Sequence, residues 1–198
     1  MAANSKNKLV IIACSTGGPK ALHTLIPTLD RNLDAPVVIV QHMPKGFTNS
    51  LAERLDDVSE ISVSEAVNGE VLKKGHVYLA RGGIHLQLKK DSGGKIIFSE
   101  YDAEPVNGLK PCANITLESV ASLSVDLVIC VVLTGMGADG YEGIKSLKAR
   151  QPVYTIAQNR ESCVVYGMPK VIVEKSIADI VLPLEEIGKE IIKKVGVF

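Results

Sequence analysis

The sequence predicts an α/β protein with a doubly wound, mostly parallel, Rossmann-like sheet and an antiparallel hairpin insert. Short apolar runs rich in β-branched residues occur at Leu9–Cys14, Pro36–Val40 and Leu127–Leu133, and such runs are typical of strands buried on both faces. Segments with apolar residues at helical spacing follow these runs nearly throughout the chain. This alternation of strand and helix favours a parallel sheet with right-handed crossovers.

The first strand, at Leu9–Cys14, leads directly into a sharp turn and a helix. The turn is Ser15-Thr16-Gly17-Gly18, and Pro19 after it is typical of a first helical position. Apolar residues then recur at helical spacing: Ala21, Leu22, Leu25 and Ile26. In this arrangement the free N–H groups at the start of the helix point toward the residue that follows the strand.

The next segments predict two more strands with a short helix between them. Pro36–Val40 forms the second strand, and His42 lies just past its end. Thr48 is expected to cap the short helix. Ile61 and Val63 alternate with polar residues and predict a third strand.

From about Gly69 the sequence predicts an antiparallel insert. Short apolar runs are separated by the glycine-rich turns Arg81-Gly82-Gly83 and Asp91-Ser92-Gly93-Gly94, which are typical of hairpins. Three runs are expected to belong to this insert: Val77–Ala80, Ile84–Leu88 and Lys95–Phe98.

After a polar loop and a further helix, the chain returns to alternating strands and helices. Leu127–Leu133 is the most apolar run and is expected to lie centrally in the sheet. Another helix follows, and then strands are predicted at Val153–Ala157 and Ile180–Leu182. Leu184–Val195 has the pattern of an amphipathic helix, with its lysines late, where the helix dipole favours them.

Length and composition limit the classes of protein to which the chain can belong. We expect one domain over residues 1–198. Basic and acidic residues both number 22, and no basic run is interleaved with aromatic residues, which argues against nucleic-acid binding. The longest apolar run, Leu127–Leu133, is far shorter than the roughly 20 residues of a membrane span, so we expect no membrane insertion. The four cysteines form no C-x-x-C pair, which indicates reduced thiols in the cytoplasm and no metal site.

Three polar residues each follow the carboxyl end of a different predicted parallel strand: Ser15, His42 and Asp139. Because ligands on such sheets bind beyond these ends, the three loops can converge. A serine hydroxyl becomes a good nucleophile when an imidazole takes its proton, and a carboxylate can orient that imidazole. The spacing therefore predicts a serine hydrolase that needs no cofactor and no metal.

Each of these residues also has a simpler interpretation. Ser15 is compatible with a helix cap or a phosphate-binding turn, His42 with a ring bonded to a backbone carbonyl, and Asp139 with a helix cap. Cys14 is an alternative nucleophile. Because neighbouring residues of a strand point to opposite faces, one of Cys14 and Ser15 is expected to be buried, and burial suits cysteine.

A dinucleotide site is the strongest competing hypothesis. Gly135–Gly140 matches G-x-G-x-x-G after a strand and before a helix, and Glu161 lies about twenty residues further on, where a ribose-binding carboxylate is expected. However, Asp139 inside this motif would place a negative charge beside the pyrophosphate. The turn at Ser15–Lys20 lacks the glycine spacing of a P-loop.

Several segments of the chain together resemble one enzyme family. These segments are Cys14-Ser15-Thr16-Gly17-Gly18, Gln41-His42-Met43-Pro44, Leu133-Thr134-Gly135-Met136-Gly137-Ala138-Asp139-Gly140, Ile156-Ala157-Gln158-Asn159 and Cys163-Val164-Val165-Tyr166-Gly167-Met168-Pro169. In this order they are similar to the catalytic domain of the chemotaxis protein-glutamate methylesterases (CheB), and the likeness covers about Lys8 to Val195.

The resemblance implies a carboxylic ester hydrolase that removes methyl esters from glutamate side chains of chemoreceptors and deamidates receptor glutamines. It makes Ser15 the nucleophile, His42 the general base and Asp139 the orienting carboxylate, with Thr16 and Met136 as oxyanion neighbours through their backbone N–H groups. The partners it implies are the cytoplasmic helices of methyl-accepting chemotaxis receptors. A catalytically inactive receptor-binding module stays as the alternative within this family.

The sequence departs from the family pattern in a few places. Ala13 replaces a common glycine, Lys110-Pro111-Cys112-Ala113-Asn114 replaces a segment that usually reads R-P-S-V-D, and Arg150-Gln151-Pro152 replaces a segment that typically contains glycine. We expect none of these departures to touch the triad. Family members usually carry an N-terminal receiver domain as well, and only a few polar residues precede the first strand here. The chain is therefore expected to be the catalytic domain alone, and a receiver domain is a further candidate partner.

Overall fold

The computed structural model describes residues 7–198, and seven parallel strands form its central sheet. In chain order the strands of the protein are β1 (Lys8–Cys14), β2 (Val37–Gln41), β3 (Ser62–Glu65), β4 (His76–Leu79), β5 (His85–Lys90), β6 (Ile96–Tyr101), β7 (Leu127–Val132), β8 (Val153–Gln158) and β9 (Ile180–Leu182). The order across the sheet is β3-β4-β2-β1-β7-β8-β9, which places β1 at its centre. β5 and β6 pair with each other as a separate antiparallel hairpin.

Helices cover both faces of the sheet. In chain order they are α1 (Gly18–Leu25), α2 (Thr48–Asp57), α3 (Ala113–Val120), α4 (Tyr141–Lys148), α5 (Met168–Glu174) and α6 (Leu184–Val195). One cluster of buried residues joins the sheet to α1, α2 and α6. A second cluster joins it to α3, α4, α5 and the β5–β6 hairpin. This three-layer arrangement confirms the doubly wound α/β fold with a hairpin insert.

The central strand β1 is a continuous apolar run because both of its faces are buried. Val10, Ile12 and Cys14 belong to the core on one side of the sheet, and Leu9 and Ile11 belong to the core on the other side. All five side chains are at most 1% exposed. Since side chains alternate along a strand, burial on both faces requires an apolar residue at every position. β7 lies beside β1 and follows the same rule, as predicted from its sequence.

The prediction that Val77–Ala80 belongs to the antiparallel insert is wrong. This segment forms β4, which lies between β2 and β3 and is parallel to both. Val77, Tyr78 and Leu79 are completely buried, as in the other strands that have a helix layer on each side. The glycine-rich turn after β4 leads from the main sheet into the hairpin and does not join two hairpin strands.

The predicted cap at Thr48 is also wrong. Thr48 is the first residue of α2 and makes no side-chain cap. Its hydroxyl donates a hydrogen bond to Glu65 Oε1 at 2.5 Å and accepts one from the backbone N–H of Gly82 at 3.0 Å. The threonine therefore joins α2 to the ends of β3 and β4. No helix within residues 7–198 is long and apolar enough to cross a bilayer.

Candidate active site

Ser15 lies in a tight turn between β1 and α1. The turn closes with a hydrogen bond of 2.8 Å from the Gly18 N–H to the Ser15 carbonyl oxygen. Gly17 has φ of +84°, a left-handed conformation that favours glycine. Cys14 is completely buried, whereas Ser15 is only partly buried. The turn therefore exposes the serine at the carboxyl edge of the sheet, as its sequence predicts.

The sheet register brings His42 beside Ser15. Cys14 pairs with Gln41 in the β1–β2 ladder, so Ser15 and His42 occupy the next register position. The ladder continues to this point, because the His42 N–H donates a hydrogen bond of 3.1 Å to the Cys14 carbonyl. The side chains of Cys14 and Gln41 also meet, with 3.1 Å between Sγ and Oε1.

Gln41 holds the two candidate catalytic residues through their backbones. Its side-chain amide donates hydrogen bonds to the carbonyl oxygens of Ser15 (3.1 Å) and His42 (2.9 Å). The side chain is buried under the turn, and Gly18 leaves space for it. Sequence reasoning did not identify this role. The available signal was a polar residue at the end of an otherwise apolar buried strand.

His42 and Asp139 form a buried pair. His42 Nε2 lies 2.7 Å from Asp139 Oδ2, and the side chains are 7% and 3% exposed, respectively. Because an ionised carboxylate only accepts hydrogen bonds, Nε2 carries the proton of this bond, and in the neutral imidazole the lone pair then lies on Nδ1. Nδ1 is buried and has no hydrogen-bond partner among residues 7–198. Asp139 therefore orients the imidazole through Nε2, and Nδ1 on the other side of the ring is left without a hydrogen-bond partner.

Asp139 lies in a cradle of further donors. Oδ2 accepts the Ala113 N–H (2.6 Å), and Oδ1 accepts the N–H groups of Asn114 and Gly140 (both 3.0 Å) and the Cys112 thiol (3.2 Å). Burial by itself would raise the pKa of this carboxyl group. The hydrogen bonds from His42, from the two N–H groups at the start of α3 and from the thiol outweigh burial and hold the pKa of Asp139 below its ordinary value.

The expectation that the Lys110–Asn114 departure leaves the triad untouched is wrong. Three consecutive residues of this segment, Cys112, Ala113 and Asn114, bind the carboxylate of Asp139 directly. The sequence pattern carries no signal of this contact, because 25 or more residues separate the segment from Asp139. The carboxylate thus caps α3, which precedes it in the chain. The alternative interpretation of Asp139 as the cap of the following helix is not supported, because Gly140 occupies the N-cap position of α4 and no side chain caps that helix.

The backbone N–H groups of Thr16 and Met136, near Ser15, have no acceptor within the described residues. Thr16 follows Ser15 in the turn. Met136 follows Gly135, where an added Cβ atom would lie 2.8 Å from Ser15 Cβ, so this loop packs against the serine. Both residues are exposed. These positions are compatible with the predicted oxyanion neighbours.

Thr134 joins the loops around the serine and was not identified from the sequence. Its hydroxyl donates a hydrogen bond to the Thr16 carbonyl (2.9 Å) and accepts hydrogen bonds from the N–H groups of Val164 (3.1 Å) and Val165 (2.9 Å). Its own N–H donates to Gln158 Oε1 at 2.7 Å. One buried threonine thus fixes the turn after β1 against the loops that follow β7 and β8.

The structure gives the competing interpretations little support. The N–H groups of Gly140 and Gly143 at the start of α4 donate to Asn114 Oδ1, both at 2.9 Å, so they are not free for a pyrophosphate. Burial raises the pKa of the Cys14 thiol, which disfavours the nucleophilic thiolate. Within residues 7–198, no group of three or more histidine, cysteine or acidic side chains is arranged to hold a metal ion.

Comparison with known proteins agrees with this architecture. The family model described as CheB methylesterase matches residues 10–191. The crystal structure of the Thermotoga maritima CheB methylesterase catalytic domain superposes with a TM-score of 0.91 at 45% sequence identity, and the match covers 96% of this chain and 99% of that one.

Longer relatives carry a name that describes two activities. A protein-glutamate methylesterase/protein-glutamine glutaminase 1 from Syntrophomonas wolfei is 47% identical over 189 residues, or 94% of this chain and 53% of the relative. A protein of the same activity name from Archaeoglobus fulgidus is 43% identical, over 96% of this chain and 54% of the relative. The chain therefore spans about half the length of these relatives. With its fold, its loops and its sequence in agreement, this chain belongs to the CheB methylesterase family.

Proposed function

We propose that this chain hydrolyses methyl esters on glutamate side chains of chemoreceptors and also deamidates receptor glutamines. The observation that carries the proposal is the buried His42–Asp139 pair, whose second imidazole nitrogen is free beside the Ser15 turn. The names of the relatives, protein-glutamate methylesterase/protein-glutamine glutaminase, agree with this reaction class.

In the proposed mechanism, Ser15 Oγ attacks the carbonyl carbon of the ester while His42 Nδ1 accepts the serine proton. Asp139 stabilises the imidazolium through the hydrogen bond to Nε2. When the tetrahedral intermediate collapses, the bond to the methoxy oxygen breaks and His42 returns the proton, so methanol leaves. Water then attacks the acyl-enzyme with His42 again as the base, and the product is a glutamate side chain.

The oxyanion of the tetrahedral intermediate is the group that Thr16 and Met136 are proposed to stabilise. Their backbone N–H groups have no other acceptor among residues 7–198, so they are available to an oxygen bound at Ser15. The same steps account for deamidation, because the amide nitrogen replaces the methoxy oxygen as the leaving atom. It accepts the proton from His42 and departs as ammonia.

We further propose that residues 1–198 act as a single catalytic domain in the cytoplasm, on the cytoplasmic helices of methyl-accepting receptors. Four free cysteines agree with a reducing compartment. A receiver domain on the same or another chain is the proposed regulatory partner, which fits relatives about twice as long as the matched region.

Methanol release from a methylated chemoreceptor fragment tests the proposal directly. The parent protein is expected to release methanol, and Ser15→Ala is expected to lower the rate by roughly 10⁴-fold or more with no change in fold. Ser50→Ala is a matched control, because Ser50 is an exposed residue of α2. Release by the Ser15→Ala protein at a rate close to the parent would reject the serine mechanism. Receptor binding without release by the parent would favour the binding module.

A further inference from the structure

Asn114 connects the starts of two helices around the candidate catalytic carboxylate. Its backbone N–H donates to Asp139 Oδ1 at 3.0 Å, from the first turn of α3. Its side-chain oxygen accepts the N–H groups of Gly140 and Gly143, both at 2.9 Å, at the start of α4. One residue therefore binds Asp139 and also fixes the turn that carries Asp139.

The Gly140 N–H is shared between two oxygens. It lies 2.9 Å from Asn114 Oδ1 and 3.0 Å from Asp139 Oδ1. Only one of these oxygens belongs to a charged group, because the asparagine amide is neutral. A carboxylate at position 114 would accept the same N–H groups and would bring a second negative charge to this place.

The helices leave little freedom for a different arrangement. A Cβ atom at Gly143 would lie 2.7 Å from Leu117 Cβ and 3.0 Å from Asn114 Cα, so α3 and α4 are in close contact beside the amide. Displacement of Asn114 would therefore move both helix starts. Since three of the donors to Asp139 come from these two starts, their position determines the position of the carboxylate.

The ionisable groups that bond to Asp139 or line the cavity beside it come from the segment after β2, from the residue before α3 and from the first turn of α4: His42, Cys112, Tyr141 and Glu142. The side chain of Glu142 is 64% exposed and pairs with Lys145 at 3.8 Å, so solvent screens its charge. The charge at position 114 is thus well placed to change the field on the His42–Asp139 pair.

We propose that Asn114 is a positioning residue for the triad, whose neutral amide fixes the Asp139 turn without adding a second carboxylate behind His42. This inference rests on the proposed serine hydrolase mechanism. Asn114 does not touch the reacting atoms, and it acts through Asp139.

Titration of the His42 ring, followed by NMR in the parent and in Asn114→Asp, tests the charge part of this inference without any need for turnover. Aspartate has nearly the same shape and keeps both accepted hydrogen bonds. Its added negative charge favours the imidazolium, so the midpoint of the His42 titration is expected to rise by about 0.5 to 1 pH unit. A rise smaller than about 0.2 unit would show that a charge at position 114 does not act on the His42–Asp139 pair, and it would overturn the proposal that the neutral amide matters.

Asn107→Asp is the matched control. Asn107 lines the same surface cavity as Asp139, is exposed, and has φ of +52°, a conformation that aspartate tolerates. The same charge at this exposed position is expected to leave the His42 midpoint unchanged. An equal shift in both variants would show a general surface effect and would contradict a specific role of Asn114.

Asn114→Ala tests the positional part. The variant loses the acceptor for the Gly140 and Gly143 N–H groups, and we expect kcat for methanol release to fall roughly tenfold with KM within about twofold of the parent. An unchanged kcat in a folded Asn114→Ala protein would reject the positioning role. If the parent itself released no methanol, the proposed function would fail, and the NMR titration would still decide whether Asn114 controls the His42–Asp139 pair.

Discussion

Gly18 and Gln41 are in such close contact that a Cβ atom on Gly18 would lie 1.9 Å from the side-chain oxygen of Gln41. The first residue of α1 therefore fits over the amide that holds the backbones of Ser15 and His42. The absence of a side chain at position 18 is thus a requirement of the site.

Gly18→Ala is expected to displace the Gln41 amide and break both of its backbone contacts. We expect the free energy of unfolding to fall by roughly 1 to 3 kcal/mol, together with a loss of hydrolytic activity. Urea denaturation and methanol release measure the two effects. Gly93→Ala is the control, because a Cβ atom there would lie at an ordinary 3.4 Å from Asp91 Oδ1. Equal stability of the two variants would contradict this account of the turn.

Gln41→Leu is expected to leave the space filled but remove the two donated hydrogen bonds. The His42 carbonyl then loses its donor in the buried turn, which costs about 1 to 3 kcal/mol of stability. We also expect kcat to fall roughly tenfold, since Ser15 and His42 lose their common support. Gln87→Leu in β5 gives the comparison, because the Gln87 amide makes no hydrogen bond within residues 7–198. If Gln41→Leu kept full activity, the amide would be a packing group only.

The pH dependence of stability is expected to contain a contribution from Asp139. Its pKa in the folded protein is lowered, so its stabilising contribution is present above the unfolded value of about 3.9 and is lost as the pH falls through the folded value. Below about pH 4 the unfolded state binds more protons at this group, and stability decreases. Asp139→Asn is expected to make this decrease in the free energy of unfolding at low pH smaller. Urea denaturation between about pH 2.5 and 7 measures it.

Asp102→Asn provides a contrast for this measurement. Hydrogen bonding to Lys110 lowers the pKa of Asp102 as well, but its side chain is 81% exposed. Solvent screens such a pair, so this substitution is expected to leave the decrease in stability at low pH almost unchanged. If Asp102→Asn reduced the loss of stability at low pH as much as Asp139→Asn does, the assignment of this effect to the buried carboxylate would be refuted.

Thiol labelling of the native protein is expected to be slow at every cysteine. Burial raises the pKa of all four thiols, to about 12 for Cys112 and Cys130 and to about 11 for Cys163. Cys163 is the only one of the four that is not fully buried, so iodoacetamide should modify it first at pH 8. Peptide mass spectrometry before and after denaturation checks the order. Rapid labelling of Cys14 with loss of activity would revive the cysteine nucleophile.

The sequence predicted correctly those elements whose type and position are determined by their own residues. β1, its turn and α1 are an example, because burial on both faces, a glycine turn and Pro19 act within eleven residues. β4 was assigned to the wrong sheet, since its pairing depends on β2 and β3 and not on the adjacent turns. The same limit applies to the site: Ser15, His42 and Asp139 follow strand ends, whereas the contacts of Gln41, Thr134 and Asn114 depend on how distant loops meet.

The two ends of the folded unit lie together, at the edge of the sheet opposite Ser15. Lys8 Nζ donates to the Val195 carbonyl, and the Asp34 N–H donates to the Gly196 carbonyl at 2.9 Å. β1 runs from this edge to the serine over seven residues, a distance of about 23 Å. A fluorophore or a surface tether attached near Lys8 or beyond Val195 would thus leave the reactive edge free to meet a large substrate. Conversely, any domain joined at these points must reach around the sheet to cover Ser15, so the length of its linker sets how often it can block the site.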